Sequence, residues 1–218
     1  MIDDFSRITS FIRSMIEDDE GELGALYRQA VKDGVPVIRP KAKELLKTQL
    51  MMKKPKHVLE VGTAIGYSSL FMSNYLPEDA DIVTLELDEE RASQAEENIT
   101  RFGKADRITV LRGDAAKLLT TLPDLYYDFV FVDAAKAQYI YYLPEVLRVC
   151  KPDGVIISDN ILQEGDVLES HFLVEKRNRT IHDRMREYLY TITHHEALET
   201  ALLSVGDGMA ISIKKELE

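Results

Sequence analysis

Polar side chains follow two short apolar runs in the second half of the chain. Asp133 comes directly after FVFV, and Asp159-Asn160 comes directly after VIIS. Short apolar runs bounded by polar residues predict strands that are buried on both faces. If these strands are neighbours in a parallel sheet, their carboxyl ends bring the three side chains together. Two carboxylates and an amide oxygen are ligands for a hard divalent cation such as Mg²⁺ or Ca²⁺, whereas each acid alone would be an ordinary strand-end residue.

Lys136 lies three residues after Asp133, so one helical turn would place both side chains in the same pocket. A nearby divalent cation disfavours the ammonium form of a lysine, because like charges repel. The spacing therefore predicts Lys136 as a general base for a substrate hydroxyl, although a lone lysine is most often a solvated surface residue.

A glycine-bearing turn, GTAIGYS at 62–68, follows the first apolar run, HVLEV. Such a turn lets a ligand approach the backbone closely, and the helix that follows supplies free N–H groups. The glycines are spaced G-x-x-x-G rather than G-x-G-x-x-G, and Glu60 precedes the turn. A carboxylate there would repel a pyrophosphate and attract a sulfonium cation. We therefore expect S-adenosylmethionine rather than NAD, with a nicotinamide-dependent oxidoreductase and a non-catalytic adenosylmethionine-binding module as alternatives.

Two further acids end apolar runs at the spacing that a nucleoside requires. Glu86 lies 20 residues after Gly66, where doubly wound folds place a carboxylate that accepts both ribose hydroxyls. Asp114, in Gly113-Asp114-Ala115, is placed to accept from an adenine amino group. It would also cap the following helix in either case.

The elements that position these residues alternate between strands and helices. Strands are predicted at 57–61, 82–86, 108–111, 129–132 and 155–158, and helices at 67–75, 89–102, 115–121 and 136–150. This alternation is typical of βαβ units and a parallel sheet. The tail predicts a hairpin, with strands at 200–205 and 209–213 around Gly206-Asp207-Gly208.

The rest of the chain predicts one α/β domain over 1–218 with two helical additions. Residues 1–52 form a helical cap whose first helix carries an apolar stripe from Phe5 to Ile16, and residues 161–192 form a polar helical insertion. No apolar run is long enough for a membrane span, and the single Cys150 suits a reducing cytoplasm. A homodimer is expected. The net charge of −11 excludes indiscriminate nucleic-acid binding but not a local basic patch.

The motifs resemble those of the metal-dependent class I O-methyltransferases of the catechol and caffeoyl-CoA type. The matching segments are VLEVGTAIGYSSL, TLELDEE, FVFVDAAKAQY, KPDGVIISDNIL and VGDGMAIS. The resemblance implies a Rossmann-like methyltransferase fold with a seven-stranded, mostly parallel sheet in the order 3-2-1-4-5-7-6 and helices on both faces. It implies Mg²⁺ or Mn²⁺ on Asp133, Asp159 and Asn160, with Lys136 as the base. The implied adenosylmethionine contacts are Glu60, Gly62, Thr63, Tyr67, Ser68, Glu86, Asp114 and Asp133.

Peripheral segments, among them VPVIRPKAKELL, resemble the bacterial tRNA 5-hydroxyuridine methyltransferases. This resemblance implies methylation of the wobble-position hydroxyl in the tRNA anticodon loop, with Arg39, Tyr139 and Arg177 as substrate contacts. A small catechol or acyl-CoA phenol is the alternative acceptor.

Two basic clusters are candidates for a local phosphate footprint. The first contains Lys53, Lys54 and Lys56, and the second contains Lys176, Arg177, Arg179, Arg184 and Arg186. Each cluster would otherwise be a solvated helix face. Tyr139, Tyr141 and Tyr142 are predicted either to stack an extruded base or to pack on the sheet.

Overall fold

The computed structural model describes residues 4–216, with side chains from residue 7 onward. Within this part of the chain the strands are β1 (His57–Val61), β2 (Asp81–Glu86), β3 (Ile108–Arg112), β4 (Tyr127–Val132), β5 (Cys150–Asp159), β6 (Leu198–Leu203) and β7 (Met209–Lys214). They form one sheet in the order β3-β2-β1-β4-β5-β7-β6. β1 to β5 pair in parallel, and β7 pairs antiparallel with both β5 and β6. The predicted Rossmann-like methyltransferase sheet is therefore confirmed.

Helices flank the sheet on both faces. They are α1 (Asp4–Ser14), α2 (Gly21–Lys32), α3 (Pro40–Lys53), α4 (Tyr67–Ser73), α5 (Glu89–Arg101), α6 (Ala115–Leu119), α7 (Tyr139–Val149) and α8 (Arg179–His194). Short 3₁₀ turns span Lys136–Gln138 and Gln163–Leu168. Among the described residues, no helix combines the length and the apolar character that crossing a membrane requires.

The register of the central strands determines which polar residues meet. Val61 pairs with both Leu85 and Val132, so β1, β2 and β4 end at the same level. Val132 pairs in turn with Ser158. Residues that follow these strands therefore share the carboxyl edge of the sheet. The strands lie in apolar surroundings on both faces, as the short apolar runs predict.

The amino-terminal helices pack on one face of the sheet as a cap. Lys43 of α3 is buried and forms a 2.7 Å ion pair with Asp19, which precedes α2. The hydroxyl of Tyr67, the first residue of α4, also donates to Asp19. The ammonium of Lys43 lies 5.3 Å from the ring centroid of Phe71. Because both charges of the ion pair are largely removed from water, loss of either partner alone would destabilise the cap.

The predicted helical insertion at 161–192 is only half correct. α8 is helical, but residues 169–178 form turns without a regular helix. Glu164 and Gly165 have positive φ angles of 55° and 99°, which interrupt helical geometry before this segment. The predicted hairpin is present between β6 and β7. Residues 1–3, 217 and 218 of the predicted domain, and the Phe5 side chain of the apolar stripe, lie outside the described part.

Candidate active site

A cavity of about 840 Å³ opens at the carboxyl edge of the sheet. It lies between the ends of β1 to β4 and the segment 36–39 that leads into α3. Ligands of doubly wound folds bind at this edge, where the strand order reverses. Among the residues predicted for the site, the cavity is lined by Arg39, Gly62, Thr63, Tyr67, Ser68, Glu86, Asp114, Asp133, Lys136 and Asn160.

Gly62 brings the ends of β1 and β4 into close contact. Its φ is +104°, and an added Cβ would lie 2.1 Å from the carbonyl oxygen of Asp133. The N–H of Asp133 donates to the Val61 carbonyl at 2.9 Å. Only glycine fits here, because both the backbone conformation and the space exclude a side chain. The glycine turn, on the cofactor side of the cavity, is thus in direct contact with the backbone of Asp133, a predicted metal ligand.

Glu86 is held in place by the backbone around it. Its Oε2 accepts from the N–H of Ala64 at 2.7 Å, and its Oε1 accepts from the N–H of Asp88 at 2.9 Å. The carboxylate is therefore fixed at the cavity wall, in the position predicted for a ribose partner. Carboxylate oxygens keep further lone pairs after accepting one bond each, so Glu86 retains acceptor capacity for ribose hydroxyls.

Asp114 serves the capping role and also lines the cavity. Its side chain accepts from the N–H of Ala116 at 3.0 Å, which caps α6. The two interpretations of this residue are thus compatible. Thr63 is buried, and its hydroxyl lies 2.5 Å from that of Thr84, so it helps to hold the glycine turn on β2.

Glu60 does not line the cavity formed by the described residues, which corrects the predicted direct attraction to a sulfonium. It is fully buried beneath the glycine turn, where its Oε2 accepts from the hydroxyls of Ser69 and Thr84. Burial raises the pKa of Glu60 to about 7, against the opposing effect of hydrogen bonds from Ser68, Ser69 and Thr84. The residue supports the turn from below.

Asp133, Asp159 and Asn160 come together at the ends of β4 and β5, as the neighbouring strands predict. Asn160 Nδ2 donates to Asp133 Oδ1 at 3.1 Å, and Asp159 Oδ1 accepts from the Asn160 N–H at 2.7 Å. Asp159 Oδ2 is buried with no hydrogen-bond partner within the described part of the chain. Burial and the neighbouring Asp133 raise the pKa of Asp159 to about 7, and burial also raises that of Asp133.

A third acid, Asp207, belongs to this group and was missed in the sequence. It lies in the turn between β6 and β7, where its Oδ1 accepts from the N–H of Glu164 at 2.7 Å. Its Oδ2 is also buried without a hydrogen-bond partner in residues 7–216, at an ion-pair distance of 3.5 Å from Lys136 Nζ. The predicted strand order 5-7-6 could have revealed Asp207. An antiparallel β7 begins where β5 ends, so a residue just before β7 lies near the end of β5.

This group of residues has the chemistry that a divalent cation requires. Burying two carboxylates side by side is unfavourable unless a positive charge offsets them. Lys136, 3.5 Å from Asp207 Oδ2, and the Asn160 amide offset part of that charge, but the buried Oδ2 of Asp159 has no hydrogen-bond partner among the described residues. Oxygen donors of this kind suit Mg²⁺ or Mn²⁺, and Asp133, Asp159 and Asn160 would hold the ion.

The predicted substrate contacts occupy different positions, and the position of Tyr139 corrects its prediction. Tyr139 is buried, and its hydroxyl contacts the carbonyls of Val132 and Asp159 at 3.2 and 3.1 Å, so it ties β4 to β5 and does not face a substrate. Arg177 is exposed, pairs with Glu175 at 2.8 Å and does not line the cavity. Arg39 does line it and pairs with Glu164 at 3.2 Å.

The two basic clusters occupy different edges of the molecule. Lys53, Lys54 and Lys56 precede β1 and therefore lie at the amino edge of the sheet, away from the cavity. In the second cluster, Arg184 Nη1 donates to the Ala137 carbonyl at 3.3 Å, next to Lys136. The Arg184 guanidinium lies 4.9 Å from the ring centroid of Tyr141, which is half exposed.

Comparison with known proteins gives the class of enzyme that this fold and cavity define. The sequence profile of a family described as O-methyltransferase matches residues 16–215. The chain belongs to this family. It is an S-adenosylmethionine-dependent O-methyltransferase, as the resemblance implies.

Individual relatives are similar over most of their length. A catechol O-methyltransferase of Niastella koreensis is 28% identical over 97% of this chain and 98% of its own. A caffeoyl-CoA O-methyltransferase of Stellaria longipes is 32% identical over 78% of this chain and 73% of its own. The solved O-methyltransferase of Bacillus cereus in complex with SAH has a TM-score of 0.83 at 24% identity, covering 99% of this chain and 100% of that one, and shows the same fold.

Proposed function

We propose that this enzyme methylates an acidic enol or phenol-like hydroxyl with the help of a divalent cation, Mg²⁺ or Mn²⁺. The observation that carries the proposal is the buried Oδ2 of Asp159, which has no hydrogen-bond partner among the described residues and lies in the same group as Asp133 and Asp207. When bound, the cation supplies Lewis-acid chemistry that favours the ionised form of an acceptor hydroxyl.

The cofactor occupies the part of the cavity between the ends of β1, β2 and β3. S-adenosylmethionine supplies a methyl group on a positively charged sulfur. Glu86 would accept from its ribose hydroxyls and Asp114 from its adenine amino group, since both carboxylates line this region and are held by backbone N–H groups. The SAH bound to the related Bacillus cereus enzyme supports a cofactor of this type.

Lys136 takes the proton from the acceptor hydroxyl. In this step the proton passes from the hydroxyl oxygen to Nζ. The acceptor oxygen then forms its bond to the methyl carbon while the electron pair of the carbon–sulfur bond goes to sulfur. Asp207, 3.5 Å from Nζ, holds the resulting ammonium in place. Catalysis on this account consists of orientation and electrostatics.

The acceptor that we propose is 5-hydroxyuridine at the wobble position of the tRNA anticodon loop. The supporting feature is the Tyr141–Arg184 pair next to Lys136, because an exposed ring with a guanidinium over it can stack an extruded base. This pair replaces the buried Tyr139 as the stacking candidate. Arg39 at the cavity and the arginines of α8 supply positive charge for the phosphates.

A small phenol is the second candidate acceptor, and the relatives favour it. The Niastella koreensis and Stellaria longipes proteins act, by their names, on catechol and on caffeoyl-CoA. A catechol and 5-hydroxyuridine both present an acidic hydroxyl with a second oxygen on the adjacent carbon. The same carboxylate group therefore suits either compound.

Nucleoside mass spectrometry separates the two acceptors. The enzyme is incubated with S-adenosylmethionine, Mg²⁺ and tRNA from a strain that lacks its gene, and in parallel with catechol. We expect 5-methoxyuridine to appear in the tRNA, and EDTA to abolish it. Absence of 5-methoxyuridine with active methylation of catechol would exclude the tRNA acceptor, and full activity in EDTA would exclude the cation.

Matched variants locate the RNA contacts. Arg184→Ala is expected to lower kcat/KM for tRNA about tenfold, roughly 1.4 kcal/mol, and to leave catechol methylation unchanged. Lys54→Ala removes an exposed lysine at the opposite edge of the sheet and is expected to change neither. Equal losses from both variants would contradict a footprint confined to α8.

The expected homodimer is proposed to use α1. The side chains of Ile8 and Phe11 in α1, and of Met15 directly after it, are 55%, 65% and 66% exposed and form an exposed apolar stripe. Sedimentation equilibrium of the wild type and of Phe11→Glu tests this. A wild-type monomer would contradict it, and a dimer that the variant disrupts would support it.

A further inference from the structure

Two histidines and an aspartate converge beside the start of α8, away from the cavity. His171 lies in the irregular segment 169–178, and His182 and Asp183 lie in the second turn of α8. The Nδ1 atom of His171 lies 2.8 Å from Asp183 Oδ1, and the Nδ1 atom of His182 lies 2.9 Å from the same oxygen. None of these three residues lines the 840 Å³ cavity. A separate small cleft opens at them.

The surroundings of His182 determine which of its nitrogens carries a hydrogen. The residue is buried, and its Nε2 lies 3.1 Å from the carbonyl oxygen of Glu169. Because a carbonyl oxygen only accepts, Nε2 carries the hydrogen and donates it. In a neutral ring, Nδ1 then has a lone pair directed at Asp183 Oδ1, which is also an acceptor. Two acceptors at 2.9 Å repel unless a proton or a metal ion lies between them.

The arrangement has the features of a transition-metal site. Metal-binding histidines commonly donate their other ring N–H to a backbone carbonyl, which fixes the ring and directs the free nitrogen at the metal. The Nε2 contact of His182 with Glu169 is of this kind. His171 supplies a second imidazole from another segment of chain, and the three candidate ligand atoms lie within 4.8 Å of one another.

We propose that His171, His182 and Asp183 bind a divalent transition-metal ion, Zn²⁺ by preference, with water completing the coordination. Two imidazoles and one carboxylate form a known type of zinc ligand set. The ion ties the segment before α8 to the helix. The neighbouring Arg186 lines the same cleft and donates to the Val167 carbonyl at 2.9 Å. The positive charge of Arg186 repels a metal cation. The affinity for the metal must therefore come from the imidazole nitrogens and not from the net charge of the cleft.

The two metal sites of the enzyme should therefore select different ions. The group around Asp133 and Asp159 has only oxygen donors and suits Mg²⁺ or Mn²⁺, whereas imidazole favours Zn²⁺, Co²⁺, Ni²⁺ and Cu²⁺. The proposal does not depend on the methyl-transfer mechanism, because no residue is shared between the two groups.

Co²⁺ and Zn²⁺ titrations of the full chain test the site. The metal-stripped protein is first saturated with Mg²⁺ to occupy the oxygen site, and Co²⁺ is then added while visible absorption is recorded. We expect one equivalent to give the intense bands of a low-coordinate, nitrogen-ligated ion, and Zn²⁺ to displace it. His171→Ala should weaken Co²⁺ binding by at least about tenfold, as loss of one ligand requires. The double variant His194→Gln/His195→Gln changes two histidines outside the proposed site and should bind Co²⁺ as the wild type does.

Three results would overturn the proposal. The first is the absence of the cobalt bands, and the second is equal binding by the wild type and His171→Ala. The third is a ¹⁵N spectrum in which His182 carries hydrogens on both ring nitrogens with Zn²⁺ present, since a proton would then occupy the place assigned to the metal. Circular dichroism and Mg²⁺-dependent methyl transfer show whether His171→Ala is folded. If it is not folded, His171→Gln is measured in its place, since a glutamine keeps side-chain bulk without an imidazole.

Discussion

The two halves of the cavity differ in how completely their polar groups are satisfied. On the cofactor side, Glu86 and Asp114 each accept backbone N–H groups at 2.7 to 3.0 Å. On the acceptor side, Asp159 and Asp207 each keep a buried oxygen that has no hydrogen-bond partner among the described residues. The pKa of Asp159 is raised to about 7, first by burial and then by the neighbouring Asp133. The carboxylates that line the cofactor half are held by backbone N–H groups, whereas buried carboxylate oxygens without a hydrogen-bond partner occur in the acceptor half and at Glu60 Oε1 beneath the glycine turn, within the described residues.

This difference indicates how the enzyme divides its tasks. A cofactor that binds in every turnover is recognised by carboxylates already fixed in position, so little is lost in ordering them. If the proposed cation binds the acceptor half, it would relieve the repulsion between the buried carboxylates, and acceptor activation would then be linked to cation binding. Substitutions on the two sides should therefore change different measured quantities.

The largest effect is expected from Asp159→Asn. Removing one carboxylate weakens cation binding, and we expect Mg²⁺-dependent turnover to fall about 1,000-fold, several kcal/mol of transition-state stabilisation. In EDTA the same variant should unfold at a higher temperature than the wild type, because a buried like-charge interaction is lost. Turnover against Mg²⁺ concentration and thermal unfolding in EDTA measure both effects. A variant that is less stable in EDTA and fully active would contradict the proposed strain.

Gly62→Ala tests the contact that joins the two halves. An added Cβ would lie 2.1 Å from the Asp133 carbonyl oxygen, and φ is +104°, so the strand ends must separate. We expect the free energy of unfolding to fall by about 3 kcal/mol, from both steric and backbone strain. Gly103→Ala is the matched control, since Gly103 has a φ of +65° but nothing within 4 Å of an added Cβ. Urea unfolding of both variants gives the comparison, and equal losses would show that the steric contact is unimportant.

The sequence predicted the cofactor half better than the acceptor half. The βαβ alternation located β1 to β4 to within two residues, because buried strands in a parallel sheet must be short and apolar. Glu86 and Asp114 then followed from strand ends alone. Glu60 lies on β1 itself, and the apolar pattern did not show that its side chain points beneath the turn, where Ser69 and Thr84 bind it.

The acceptor half depends on contacts between distant segments, which periodicity does not reveal. Asp207 meets Lys136 only because β7 runs antiparallel beside β5. The sequence left open whether Tyr139 contacts the substrate or packs on the sheet, and its ring packs against Tyr188 of α8 at a centroid distance of 5.5 Å. Turns at 169–178 replace the predicted helix. The contact of His182 with the Glu169 carbonyl and the positive φ angles at 164 and 165 depend on the tertiary structure, so the sequence pattern did not reveal them.

A smaller effect is expected from Glu86→Gln on the cofactor side. The amide replaces one carboxylate oxygen with a donor, so one acceptor for the backbone or the ribose is lost. We expect KM for S-adenosylmethionine to rise about tenfold, equivalent to one charge-assisted hydrogen bond, with Mg²⁺ affinity unchanged. Steady-state kinetics with varied cofactor and varied Mg²⁺ separate the two constants. Glu90→Gln, an exposed position on α5, is the control, and a change in Mg²⁺ affinity for Glu86→Gln would show that the halves are coupled.

The smallest effect, a few degrees in Tm, concerns pH. The pKa of Asp159 in the folded protein, about 7, lies above the usual value of 3.8, so between these limits the folded state binds a proton that the unfolded chain has released. The stability of the protein in EDTA must therefore fall as pH rises from about 4 to 7. Glu60 contributes with the same sign, because its pKa is also raised to about 7. The Asp159→Asn variant still contains Glu60, so the contribution of Glu60 is the same in both proteins.

The difference in Tm between the wild type and Asp159→Asn, followed from pH 5 to 8 in EDTA, therefore isolates the contribution of Asp159. We expect the variant's advantage to grow towards pH 8 and to vanish with saturating Mg²⁺, since the cation then stabilises only the wild type. If the difference in Tm between the variant and the wild type is the same from pH 5 to 8, ionisation of Asp159 is not the source of the destabilisation.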